Sequence, residues 1–140
     1  MRQDGQYYRL LLLCRREFGL PYLSYGRVLR PPKVSGKLPV VTSESTRPFM
    51  VLAVQGSAWE APDRSVGIFF LNYADEPQEF TWSADLAEAV GWKDGKNVRL
   101  SQWTEKGGLK PLGVVSGGKL SKRTQVDARG LTALKLEVEQ

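Results

Sequence analysis

The chain has 140 residues, a formal net charge of +5, four tryptophans, one cysteine and no histidine. That length suits one domain with a core of its own. The missing histidine removes the commonest general base and metal ligand, and a lone Cys14 excludes an internal disulfide and a cysteine-built zinc site.

The N-terminal stretch reads LLLLC from Leu10 to Cys14, between Arg9 and Arg15-Arg16. The apolar run is too short for a signal-peptide core, and leucines stand where a lipoprotein cleavage site needs small residues. No stretch is long enough to span a membrane. The segment reads instead as a helix, capped by Asp4 and ended by Gly19 with Pro21. Tyr7, Leu11, Cys14 and Phe18 form one stripe, and Leu10, Leu12 and Leu13 widen it until the helix is apolar almost all round. Such a helix needs partners on more than one side. Leu11 and Leu12 are therefore the candidate self-association residues, with Arg15 and Arg16 at the rim.

Tyr22 to Leu29 reads as extended, Arg30-Pro31-Pro32-Lys33 as a break, and residues 34–37 as a turn-rich connector. Leu38 to Thr42 and Phe49 to Val54 are valine-rich runs that read as strands. Ser57 to Ala61 and Val66 to Tyr73 form a hairpin around Pro62-Asp63-Arg64-Ser65, where proline pre-sets one backbone angle and Asp63 can bond its own backbone. Val66 to Tyr73 is apolar at nearly every position, so it is expected at the centre of a sheet, covered on both sides, with Phe70 and Leu71 buried on opposite faces. Gln78 to Trp82 alternates, with Phe80 and Trp82 on one face. Ser83 is expected to cap a short helix closed by Gly91. Asn97 to Thr104, Leu109 to Val115, Lys119 to Val126 and Leu131 to Val138 complete the strands. Short strands separated by turn signals predict a mainly β fold: an antiparallel β-sandwich preceded by one N-terminal helix. The expected division is residues 1–30 as helix and connecting segment, and 31–140 as the sandwich.

YLSYGRVLRPPKV, followed by SAWEAPDRSVGIFFLNYADEPQEF, resembles the C-terminal part of large bacterial glycoside-hydrolase-like proteins. In these a β/α barrel related to α-amylase and α-galactosidase barrels is followed by a small β-sandwich. The resemblance is strongest at Tyr25-Gly26-Arg27 and from Asn72 to Pro77. It implies a closing accessory domain whose first helix is the remnant of the last barrel helix. The catalytic carboxylates of such proteins lie at the ends of barrel strands, so no residue here inherits that role. The expected partner is a catalytic barrel or, without one, a second copy of the chain through the N-terminal helix.

The residues themselves offer little chemistry. Glycoside hydrolysis needs two carboxyl groups about 5 to 9.5 Å apart across one bond. Glu60 with Asp63, and Asp75, Glu76 and Glu79, are the two acidic groupings, and both read as solvated turn residues. No catalytic residue, metal site or cofactor is expected. Aromatic rings can stack on sugars. Trp59 and Trp82 read as core, whereas Trp92 lies beside Gly91 in a loop and Trp103 points opposite to Val98 and Leu100. Trp92 and Trp103 are therefore the candidate carbohydrate-binding rings. The leading function is a non-catalytic structural domain. The alternatives are a carbohydrate-binding module and a basic nucleic-acid-binding β-domain. The scatter of basic residues along the chain argues against the last.

Overall fold

The structure, a computed structural model, describes residue 9 and residues 12–35, 40–42 and 50–139. In chain order the strands are β1 (Arg27–Leu29), β2 (Lys33–Ser35), β3 (Val40–Thr42), β4 (Met50–Leu52), β5 (Val54–Glu60), β6 (Val66–Asn72), β7 (Gln78–Asp85), β8 (Asn97–Thr104), β9 (Gly108–Ser116), β10 (Lys119–Val126) and β11 (Leu131–Val138). Before β1 a π-helical run, Arg15–Gly19, leads into the short α-helix Leu20–Leu23 (α1), and Leu86–Val90 forms α2. All strand pairs are antiparallel, in a six-stranded sheet of order β1-β5-β6-β11-β8-β9 and a three-stranded sheet β10-β7-β2, with β3 and β4 paired apart. The mainly β, antiparallel sandwich read from the sequence is the observed fold.

Period-two alternation sorts the large sheet into two faces. On its inner face Val66, Ile68 and Phe70 of β6 join Val98 and Leu100 of β8 and Leu134 and Leu136 of β11. The smaller sheet supplies Phe80, Trp82, Leu120 and Val126. Phe70 is fully buried and meets Phe80 edge-on, with ring centroids 4.9 Å apart, and lies 6.0 Å from the Trp82 ring. The Trp82 N–H donates to Thr124 Oγ1 at 2.9 Å, so its buried polar edge is satisfied.

The outer face of the same sheet is covered by the N-terminal helical segment. Cys14, Phe18 and Tyr22 recur four residues apart and pack on Phe69, Trp103, Leu131 and Ala133. Burial and the nearby Glu17 carboxylate push the Cys14 thiol up to about 12, so it acts as a small apolar group. Tyr22 lies over Gly67, where an added Cβ would fall 2.7 Å from the ring. Glycine at this point of β6 makes room for the helix to reach the sheet.

Four local expectations change. The helix does not stop at Gly19: it runs on through Leu23, with Pro21 in the first turn of α1, where a missing N–H costs no helical bond. Residues 33–35, expected within a break and connector, form strand β2, because Val34 lies opposite Trp82 on the open edge of the small sheet. Ser83 is not a helix cap. It is a strand residue paired with both Lys33 and Ser121, and Asp85 takes the cap by accepting the Glu88 N–H at 3.1 Å. Leu71 is half-buried rather than buried, since the outer face beyond Phe69 is only partly covered. Tyr7, Leu10 and Leu11 lie outside the described residues, while Leu12 is 46% exposed.

The edge strand β9 shows Leu109, Leu112 and Val114 to solvent. Leu100 pairs with Gly113 and Ser101 with Pro111, so Leu112 is an extra, bulged residue. A bulge and a proline on an edge strand both oppose further strand addition.

Phe70→Ala is expected to lower stability by about 3 to 5 kcal/mol in chemical denaturation, because the cavity would open between two sheets that cannot both collapse into it. A loss below about 1 kcal/mol would show that the sheets do not meet at this ring.

Candidate functional site

The β5–β6 turn is where the chain concentrates polar groups against the core. The Ser65 amide and hydroxyl both donate to Asp63 Oδ1, at 2.9 and 2.6 Å, the local bond that the turn sequence predicts. Because the Ser65 proton is given to Asp63, the buried Tyr22 hydroxyl, 2.7 Å away, donates to Ser65 Oγ. The result is one directed run of hydrogen bonds from helix to turn: Tyr22, Ser65, Asp63. The Ser65 hydroxyl first and its amide second hold the Asp63 carboxyl below its ordinary value. Burial pushes Tyr22 up to about 12, against the lowering effect of Ser65, so it stays a neutral donor.

Beside this turn, Glu60 is almost wholly buried. Arg27 donates to its Oε1 from two nitrogens, at 2.7 and 3.1 Å, and Arg64 lies 3.4 Å from Oε2. Gly26 precedes Arg27 because the backbone there is crowded: an added Cβ would lie 2.3 Å from the Tyr22 carbonyl and 2.8 Å from that of Glu60. The Tyr25-Gly26-Arg27 signature thus joins β1 to β5 and holds a buried charge.

Asn72 does the same work at the other end of β6. It is fully buried; its Oδ1 accepts the Ala74 N–H at 2.9 Å, and its Nδ2 donates to the carbonyls of Glu76 and Asp127 at 2.9 and 3.0 Å. One side chain therefore fixes the turn after β6 to the link between β10 and β11.

Asp63, Arg64, Trp92, Arg99 and Glu137 line a groove with a cavity volume of about 490 Å³ at this end of the sandwich. A second, smaller and more apolar groove of about 160 Å³ lies on the outer face among Leu23, Gln55, Ser57, Phe69 and Leu71. Arg99 and Glu137 face each other across β8 and β11. No local sequence signal announces that register, which depends on how two distant strands align. Among the described residues no cluster of metal-ligating side chains occurs, and no helix is long and apolar enough to cross a membrane.

The two tryptophans singled out for sugar stacking are not exposed rings. Trp103 does point away from Val98 and Leu100, but the N-terminal helix covers it: it is fully buried, and its N–H donates to Glu17 Oε2 at 2.7 Å. The Trp92 ring is drawn into the inner core and is 9% exposed. Neither offers a face for a pyranose. The two rings also belong to opposite sides of the large sheet, so the fold does not bring them together. The acidic groupings are likewise drawn into structure. Asp75 pairs with Arg129 and Glu79 with Arg123, while Glu76 supplies its carbonyl to Asn72.

No family model and no curated protein matches the chain. Among solved structures it is similar to CelM2, a bifunctional glucanase-xylanase from a metagenome library, at 17% identity and a TM-score of 0.39, over 66% of this chain and 18% of that one. A xyloglucanase of glycoside hydrolase family 44 from Paenibacillus polymyxa is 14% identical, with a TM-score of 0.39, over 67% of this chain and 18% of its own. A third structure, described as a glycoside hydrolase, is 15% identical at a TM-score of 0.41, covering 93% of this chain and 23% of that one. The chain thus spans about a fifth of the length of these structures.

Ser65→Ala removes one hydrogen bond to Asp63 and leaves the buried Tyr22 hydroxyl without its acceptor, which should cost on the order of 1 to 3 kcal/mol at neutral pH. Asp63 has a lowered value in the folded chain, so its contribution is fully present above the ordinary carboxylate value and is lost as pH falls through the folded one. The stability gap between wild type and variant should therefore narrow below about pH 4 while the Tyr22 part persists. Denaturation curves at pH 6 and pH 2.5 check this, and an unchanged gap would show that Ser65 does not hold the carboxylate.

Proposed function

We propose that the chain is a non-catalytic closing β-sandwich of a glycoside-hydrolase-like protein, an accessory domain that packs against a catalytic barrel. The observation that carries this reading is the use made of its acids. Glu60 is held by Arg27 and Arg64, Asp63 by Ser65, Asp75 by Arg129 and Glu79 by Arg123. Each has a structural partner, and Glu60 is buried at the end of β5, between β1 and β6, so these four carboxylates are committed to the fold and not set out as acid and nucleophile across a glycosidic bond. The resemblance of the Tyr25-Gly26-Arg27 and Asn72 to Pro77 segments to sandwiches that follow barrels supplies the context.

The partner surface in this reading is the back of the N-terminal helix. Cys14, Phe18 and Tyr22 take one side of it into the core, while Leu12 and Leu20 remain 46% and 41% exposed. In the parent arrangement those leucines lie against the barrel. In the isolated chain the simplest closed alternative is a two-fold pairing of helices. Each leucine fully buried there gains about 1.5 to 3 kcal/mol.

Two experiments test the two halves of the proposal. Incubation with a panel of nitrophenyl glycosides is expected to give no turnover. Activity that survives repurification and disappears in Glu60→Gln or Asp75→Asn would overturn the non-catalytic assignment. Sedimentation at tens of micromolar is expected to show association of the wild-type chain, abolished in a Leu12→Asp/Leu20→Asp variant. A monomeric wild type would show that the helix is satisfied within its own domain.

A further inference from the structure

The groove beside the β5–β6 turn is lined in part by a tryptophan whose N–H has no acceptor among the described residues. Trp92 is nine-tenths buried, yet it lines this groove. Among the described residues nothing accepts a hydrogen bond from its Nε1, and no fully enclosed side-chain nitrogen or oxygen lacks a partner. With no acceptor there and no enclosed atom left unpaired, Nε1 keeps some contact with solvent, and the residue is part of the groove lining. A buried indole ordinarily finds an acceptor for this N–H, as Trp82 does in Thr124 and Trp103 in Glu17.

Charged groups of both signs line the same groove. Arg99 is exposed on the same groove and, among the described residues, has no ion-pair partner, although Glu137 is its neighbour across the strands. Glu137 leans instead toward Lys135, at 3.9 Å. Arg64 enters from the other wall, shared with Glu60. Asp63 completes the lining, with Oδ1 engaged by Ser65.

We infer that this groove binds a hydroxylated organic acid, a uronic acid in chemical class. The ligand carboxylate would lie between Arg99 and the Trp92 N–H, with its hydroxyl groups on Asp63 and Glu137. A guanidinium matches a carboxylate in planar, two-point geometry, and a neutral N–H adds direction without a further charge to desolvate. The two acids in the lining repel a simple anion but accept from hydroxyls, so they favour a ligand carrying both groups. The volume of about 490 Å³ lies in the range of small-molecule sites. Trp92 thus acts through its edge, not through a stacked face. This site does not depend on what the domain packs against.

The test follows the tryptophan indole N–H signals of the intact chain by NMR while glucuronate, glucose, acetate or inorganic phosphate is added to tens of millimolar. The Trp92 signal is identified by its absence in Trp92→Phe. Glucuronate is expected to shift it saturably, at least ten-fold more tightly than the other three. Calorimetry with Arg99→Gln, an exposed position, should show a ten-fold or greater loss. A Trp92 signal unmoved by glucuronate overturns the site. Equal binding of phosphate or acetate overturns the hydroxylated-acid assignment, and undiminished binding by Arg99→Gln overturns the role of the guanidinium. None of these outcomes bears on turnover or association, so the accessory-domain reading stands or falls separately.

Discussion

Strand β6 is apolar on both faces, and that single constraint sets the architecture. A strand of this kind cannot sit on a sheet with one side in water, because each large side chain left exposed forfeits its burial. Phe70 and Ile68 therefore require a second sheet in front, which β7 and β10 provide. Phe69 requires a cover behind, which Phe18 and Tyr22 provide. The helix is thus part of the core rather than an appendage to the sandwich.

The two segments that carry the family resemblance turn out to be structural joints at opposite ends of β6. Gly26 and Arg27 bring β1 onto β5 and neutralise a buried Glu60. Asn72 ties the turn after β6 to the link between β10 and β11 through its amide. Asn72 is itself buried, and Arg27, though exposed, meets the hydrogen-bonding demand of the buried Glu60. Replacing one partner of such a contact would strand the other in a place that water does not reach. Strong sequence signals of this sort report how the domain is closed, and they say little about what it binds.

Polar satisfaction follows the same logic at the β5–β6 turn. The Tyr22 hydroxyl is carried inward by a ring that the core needs, and Ser65 relays it to a carboxylate at the surface. A chain of donors pointing one way leaves no buried polar atom orphaned and fixes the helix at one rotation over Gly67. Trp92 departs from this economy: its ring is buried and, among the described residues, its N–H has no acceptor.

The sequence by itself determined the β-rich class, the central position of β6, the sandwich and the bounds of strands such as Asn97–Thr104 and Leu131–Val138, because alternation and turn chemistry are local. It determined equally that Trp103 faces away from Val98 and Leu100, since alternate residues must. What it did not contain was the layer on that far side. Whether an outward ring meets water or a helix depends on contacts between residues far apart in the chain, and Glu17 with Trp103 is such a contact. The same holds for Ser83, a good cap by local chemistry, which the pairing of β7 with both β2 and β10 drew into a strand. It holds also for the groove at Trp92, assembled from the ends of β8 and β11, the β5–β6 turn and the loop after α2. Tertiary structure decided these points because burial and pairing belong to the whole sheet, whereas propensity belongs to the segment.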